Sequence, residues 1–251
     1  MAQVIGIMGA MHEEINGVIE LMQNRESFDV GMRTYYRGAI NGHKVVVVFS
    51  RWGKVAAAAT VATLILEFGI TELIFTGVAG AIDERLKVGD VVVAKRLVQH
   101  DMDARPILKR FELPLIGKEW LEVPERNLDG AVLAVNDLID KKHWHQLFLE
   151  SDINHFAIEN PTLWVGDIAS GDSFFSSNLQ RDALRSCLPT VLCVEMEGAA
   201  VAQVCYEYDL SFTIVRTISD GADDTSHVDF QLFVENIASK CSVEIIKNIL
   251  K

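Results

Sequence analysis

At 251 residues and 49% apolar content, the chain has enough material for one large α/β domain with a sizeable buried core. A formal net charge of −12, with no dense Lys/Arg block, argues against the phosphate-tracking surface that nucleic acid demands and favours small-molecule chemistry. The four cysteines, Cys187, Cys193, Cys205 and Cys241, have no C-x-x-C spacing and sit mostly in apolar runs, the pattern of reduced thiols in a cytoplasmic protein.

The first stretch, "MAQVIGIMGAMHEE", is apolar for a few residues but lacks a basic n-region and meets acids at once. It is read as a first strand rather than a signal peptide or membrane span. A helix follows, with Ile15, Val18, Ile19 and Met22 at helical spacing. "RTYYRGAINGHKVVVVFS" holds two β-rich runs with Asn41-Gly42 as the hairpin turn between them. "KVAAAATVATLILEFG" predicts a helix closed by Gly69, and "TELIFTG" the strand after it. "VGDVVVAKRLVQHD" adds another strand.

Between Pro106 and Leu163 the pattern weakens, and a single helix is expected over "DGAVLAVNDLIDKKHWHQLFL". Three apolar strands then follow, "LWVGDIAS", "VLCV" and "FTIVRTIS", with helices expected around "SSNLQRDALRS" and after Glu197. The last segment places Phe230, Phe233, Val234, Ile237, Ala238 and Cys241 on one helical stripe. Strands alternating with helices, plus one hairpin, predict a single domain over 1–251: a three-layer α/β/α architecture around a mixed, twisted central sheet.

In open α/β sheets, ligands gather where strands end, so polar residues just after apolar strands are the candidates. Five places qualify: "GAMHEE", "TGVAGA", "SGDSFF", "VEMEG" and "SDGAD". Each also has a plain structural reading. Glu13 or Glu14 would suit a helix N-terminus, the glycines of "TGVAGA" a tight turn, Phe174-Phe175 the core, and Asp220 a helix N-cap. "VLCVEMEGAAVAQVC" is harder to dismiss, because Glu195 and Glu197 interrupt an apolar strand-to-helix passage. Buried carboxylates cost several kcal/mol (roughly) unless partners receive them. One of the two is expected in the crevice at the sheet's edge and the other at the helix end or against neighbouring chain.

"GAMHEE", "GKVAAA", "TGVAGA", "SGDSF", "VEMEG" and "RTISDGAD" occur here in the order and spacing of the 5′-methylthioadenosine/S-adenosylhomocysteine nucleosidases. The chain resembles that branch of the nucleoside phosphorylase superfamily over almost its whole length. The resemblance implies hydrolysis of the N-glycosidic bond of both nucleosides, releasing adenine and the 5′-thioribose, and a place in methionine salvage. Asp220 corresponds to the general acid at adenine N7, with Ser219 beside it to orient it. Glu14 corresponds to the carboxylate that activates water. Glu197, with the Met196 backbone, corresponds to the ribose-diol ligand, a pairing that suits a carboxylate's acceptors. Phe174 and Phe175 correspond to the adenine pocket, Met11 and Phe230 to the apolar wall around the thioether, and Gly80 is counted with the substrate-binding residues. The resemblance implies no metal, no cofactor and a homodimer whose partner completes the 5′ pocket.

Trp52 in "SRWGKV" and Val78 in "TGVAGA" stand where many members carry smaller or hydroxylated residues, and the match is weak over Ala104 to Leu115. These departures leave the 5′-substituent open, with 5′-deoxyadenosine or 6-amino-6-deoxyfutalosine as alternatives. A phosphorylase would need arginines for a phosphate dianion, where this chain offers Phe75-Thr76 and acids. A catalytically silent nucleoside-binding protein is the reading from outside enzymology. His143 and His145, two apart on a helix, face different ways and make a poor metal pair. Ser173 and Ser176 lack a nearby His for nucleophile activation.

Overall fold

The computed structural model describes residues 3–222 and 229–251. Asp223, which ends the "RTISDGAD" motif, and Val228, at the head of the C-terminal segment, lie outside the described residues. The chain begins with β1 (Ile5–Gly9) and α1 (His12–Glu20), followed by an antiparallel meander of β2 (Gln23–Val30), β3 (Arg33–Ile40) and β4 (His43–Phe49). Then come α2 (Lys54–Leu66), β5 (Glu72–Ala81), β6 (Val91–Gln99), β7 (Leu121–Glu122), α3 (Glu125–Ile139), α4 (Lys141–Leu147) and α5 (Glu150–His155). β8 (Leu163–Ser170), α6 (Asn178–Cys187), β9 (Val191–Glu195), α7 (Gly198–Glu207) and β10 (Ser211–Asp220) follow. α8 (Phe230–Phe233) runs through a π-helical turn, Val234–Ala238, into α9 (Ser239–Ile249).

The layers are visible in how alternate strand residues divide. Ile5 and Ile7 of β1, Val45 and Val47 of β4 and Ile74 of β5 pack with Ile15, Val18 and Ile19 of α1 and Ile246 of α9. Their neighbours Met8, Val46, Val48, Leu73 and Phe75 pack with Ala57, Val61 and Leu64 of α2 and Val201 of α7 on the other face. Side chains two apart share a face, and both faces are covered, so these strands are apolar throughout. The sheet order is β10-β6-β8-β9-β5-β1-β4-β3-β2, and β10 also pairs β5, which closes five of the strands on themselves. Parallel and antiparallel pairs are mixed, as the sequence pattern predicts.

This closure positions the site. β10 runs parallel to β5, with Asp220 opposite Gly80, while the end of β9 crosses the end of β5 antiparallel, Gly80 opposite Val194. Three sequence-distant strand ends therefore meet at one residue.

Several expectations need correction. α1 stops at Glu20, leaving Met22 beyond it, and β2 begins one residue later. That strand, "QNRESFDV", is exposed at nearly every position, because it forms the outer edge of the sheet and carries no apolar alternation for a sequence pattern to detect. The single helix expected over 129–149 is two, broken at Asp140, whose extended backbone lets its carboxylate accept the Lys142 and His143 N–H groups at 3.1 Å each. "TGVAGA" is no tight turn but the continuation of β5. Asn41-Gly42 does turn the β3–β4 hairpin, with φ of 49° and 83°, and Gly69 (φ 62°) follows α2 with its N–H bonded to Ile65 O at 3.2 Å.

Candidate active site

Glu14 sits in the first turn of α1, and burial is nearly complete. One carboxylate oxygen accepts the N–H of Ala10 at 2.7 Å and of Met11 at 2.9 Å. The helix-terminus reading is therefore correct for its local contacts, yet the carboxylate also faces a cavity. Asp220 ends β10; the Ser219 hydroxyl donates to one oxygen at 2.6 Å and the Ala222 N–H to the other at 2.8 Å. It caps no helix, since the next helix among the described residues starts at Phe230.

The glycines of β5 explain how both acids fit. A Cβ on Gly77 would lie 3.0 Å from a Glu14 oxygen, and one on Gly80 would lie 2.9 Å from a carboxylate oxygen of Asp220. Neither glycine has a positive φ, so each is needed for close approach rather than for backbone freedom.

Glu195 and Glu197 have separate tasks. Glu195 ends β9 and turns inward, where its oxygens accept the Glu197 and Gly198 N–H groups at the start of α7, the Ser170 hydroxyl and the Arg216 guanidinium. Glu197 is buried at the N-terminus of α7 and accepts the Gly53 N–H at 2.8 Å. It lines the same cavity as Glu14 and Asp220.

All ten residues singled out from the sequence, Met11, Glu14, Gly80, Phe174, Phe175, Met196, Glu197, Ser219, Asp220 and Phe230, line this one cavity. Phe174 and Phe230 meet edge to face at 6.0 Å. Phe230 thus leaves the core stripe of its helix for the cavity wall. Phe175 is buried against His100, edge to face at 5.3 Å. Trp52, 58% exposed, stands at the rim.

Burial pushes the Glu14 carboxyl up to about 7, against the pull of Arg216 and the Met11 and Ala10 N–H groups. Burial also pushes Glu197 up, and the neighbouring Glu195 charge adds to the effect. These acids are poised to gain or lose a proton near neutrality, as acid-base chemistry requires.

Arg216 is the residue that sequence reasoning missed. It is the one cation among the described cavity-lining residues, and its own bonds consume it: Nη2 to Glu195 at 2.7 Å, Nη1 to the carbonyls of Val215 and Phe75 at 3.0 and 3.3 Å, with the Phe75 ring 4.0 Å away. The signal was present. A lone Arg inside the apolar strand "FTIVRTIS" requires a buried acid, and Glu195 is the acid that ends the apolar strand "VLCVE".

Residues 4–251 match the family model described as the phosphorylase superfamily. The chain is 32% identical to the 5′-methylthioadenosine/S-adenosylhomocysteine nucleosidase of Staphylococcus haemolyticus over 249 residues, 99% of each chain. It belongs to this nucleosidase family. Among solved structures, the nucleosidase of Colwellia psychrerythraea in complex with adenine superposes with a TM-score of 0.87 at 30% identity, covering 100% of this chain and 95% of that one. The futalosine hydrolase of Helicobacter pylori superposes at 0.84 with 32% identity, covering 99% and 97%. The closed sheet with acids at its strand ends is therefore the nucleosidase fold, and the cavity occupies the strand-end position where such folds hold ligands.

Proposed function

We propose that the protein hydrolyses the N-glycosidic bond of 5′-methylthioadenosine and S-adenosylhomocysteine, releasing adenine and the 5′-thioribose. The observation that carries this reading is the meeting of Glu14, Glu197 and Asp220 in one cavity whose one described cation is already neutralised by Glu195. Asp220 protonates the base as it departs, with the Ser219 hydroxyl orienting its carboxyl. Glu14, ionised, takes a proton from the attacking water. Glu197 grips the ribose diol, and its ionised form favours the positive character that develops on the sugar. Two carboxylates dividing acid and water duties is the general logic of glycoside hydrolysis. Phe174 and Phe175 hold the base, the Met196 backbone joins Glu197 at the ribose, Gly80 lines the cavity, and Met11 and Phe230 contact the thioether.

Water is favoured over phosphate as nucleophile because a phosphate dianion entering this cavity would meet carboxylates and no free guanidinium among the described residues. We read residues 1–251 as a single functional unit without metal or cofactor, acting in methionine salvage in the cytoplasm. A homodimer fits the exposure of Ile107 and Leu115 in the segment after β6. No helix among the described residues is long and apolar enough to cross a membrane.

The test is adenine release from 5′-methylthioadenosine, S-adenosylhomocysteine, 5′-deoxyadenosine and 6-amino-6-deoxyfutalosine, each with and without phosphate. Phosphate-independent release from the two thio-nucleosides is expected. Release that depends on phosphate makes the protein a phosphorylase, and no release from any of the four makes it a nucleoside binder. The similarity to the Helicobacter pylori futalosine hydrolase is the reason for the fourth substrate.

A further inference from the structure

Lys54 presents an electrostatic puzzle. It is the first residue of α2, the end where the helix dipole disfavours a cation, and the first turn of that helix contains no acid. Its compensation comes from two distant segments. Lys54 Nζ donates to Asp101, just past the end of β6, at 2.6 Å and to the side chain of Gln99, the last residue of that strand, at 3.2 Å. The Lys54 N–H donates to the Asp172 carboxylate at 2.7 Å, just past the end of β8. Asp101 closes the circuit by accepting the Asp172 N–H on its other oxygen at 3.0 Å.

The residues on either side of this circuit grip different parts of the ligand. Asp172 is the second residue of the loop 171–175, which carries Phe174 and Phe175. Gly53, next to Lys54, donates its N–H to Glu197 at 2.8 Å. Gly53 holds φ at 91°, and a Cβ there would lie 2.9 Å from the Asp172 carboxylate, so no other residue lets the two segments approach this closely. An exposed ion pair would contribute little, but the Lys54 side chain is only 17% exposed, and its partners are backbone-anchored strand ends.

We propose that Lys54 is a positioning residue: with Asp101 and Asp172 it clamps the base-facing loop 171–175 to the Gly53 amide that holds Glu197, fixing the base grip against the ribose grip. Two grips in one fixed geometry favour a ligand that occupies both over one that occupies either alone. The inference rests on the nucleoside reading of the cavity for its ligand, but the clamp can also be tested without one.

Two measurements on the intact protein decide it, using Lys54→Met, Lys54→Arg and Asp101→Asn. Amide hydrogen exchange in segments 51–54 and 171–175 is expected to rise together, roughly tenfold or more, in Lys54→Met and Asp101→Asn. Lys54→Arg should retain most of the protection. Exchange that stays at the wild-type rate in either segment overturns the clamp. In parallel, calorimetry compares adenine with a non-hydrolysable adenine nucleoside carrying a 2′,3′-diol. Lys54→Met should weaken the nucleoside about tenfold to a hundredfold and adenine by about threefold at most. Equal weakening of both would show a merely structural role. Should wild type release no adenine from any substrate, the hydrolase reading falls while the exchange result still judges the clamp. If Lys54→Met does not fold, Asp101→Asn carries both measurements.

Discussion

Arg216 and Glu195 form an ion pair 2.7 Å apart, with 1% and 3% of their side-chain surfaces exposed. Removing one member leaves the other charged in the interior, which typically costs about 3–5 kcal/mol. Arg216→Met is therefore expected to lower unfolding free energy by about 3 kcal/mol, measured by denaturant titration. Arg216→Met with Glu195→Gln should lose less than the sum of the two single changes. Additive losses would mean that the pair is not energetically coupled.

Asp220→Asn keeps an acceptor for the Ala222 N–H but supplies no carboxyl proton to the leaving base. Turnover should fall about 10²- to 10⁴-fold, the usual size of a lost general acid, while a substrate analogue binds nearly as before. Retained turnover would remove Asp220 from the acid's role.

Glu14 must be ionised to take a proton from water, and burial raises its carboxyl to about 7. kcat/KM for 5′-methylthioadenosine should consequently rise with pH on a limb centred near 7, since that parameter reports the free enzyme. A profile flat from about pH 5 to 8 would contradict this assignment.

The same shift has a stability consequence of definite sign. From 4.5 unfolded to about 7 folded, Glu14 binds its proton more tightly in the native state, so stability is fully present below the lower value and is lost as pH rises through the upper. The loss is on the order of 3 kcal/mol at alkaline pH. Glu14→Gln should accordingly gain thermal stability relative to wild type between pH 5 and 8. A constant difference across that range would mean that Glu14 does not titrate there.

Gly80→Ala places a methyl 2.9 Å from both the Asp220 carboxylate and the Ala222 Cβ. Overpacking of this kind costs about 1–3 kcal/mol, and it displaces Asp220. Activity should fall by at least about tenfold in a protein that still unfolds cooperatively. Wild-type kcat/KM would mean that Asp220 has slack the packing does not suggest.

The elements legible in the sequence are those with both a pattern and a buried partner. Ile15, Val18 and Ile19 marked α1 because one face is buried, whereas the edge strand β2, wet on both sides, carried no alternation to read. The acids after β1, β9 and β10 stood out because charge at the end of an apolar run needs a reason. Arg216 was overlooked although the same rule covers it: its charge stands inside a strand rather than at its end.

The residues alone did not assign a task to each carboxylate; the family resemblance did, giving Asp220 the leaving base, Glu14 the water and Glu197 the ribose diol. Glu195 and Glu197 are two residues apart in an apolar stretch, and only the crossing of β9 over β5, with Arg216 arriving on β10, turns Glu195 into a structural anchor and leaves Glu197 facing the cavity. The glycines of "TGVAGA" looked like a turn because a sequence reveals missing side chains but not what occupies the space they leave; the fold fills that space with Glu14 and Asp220. The sequence by itself determined the layered α/β architecture, the strand ends that bear acids and the family, because periodicity and local charge are properties of neighbours along the chain. The tertiary structure alone decided that Arg216 neutralises Glu195 and that the Gly53 amide holds Glu197, because both contacts join separate elements of the fold, the second across 144 positions of the chain.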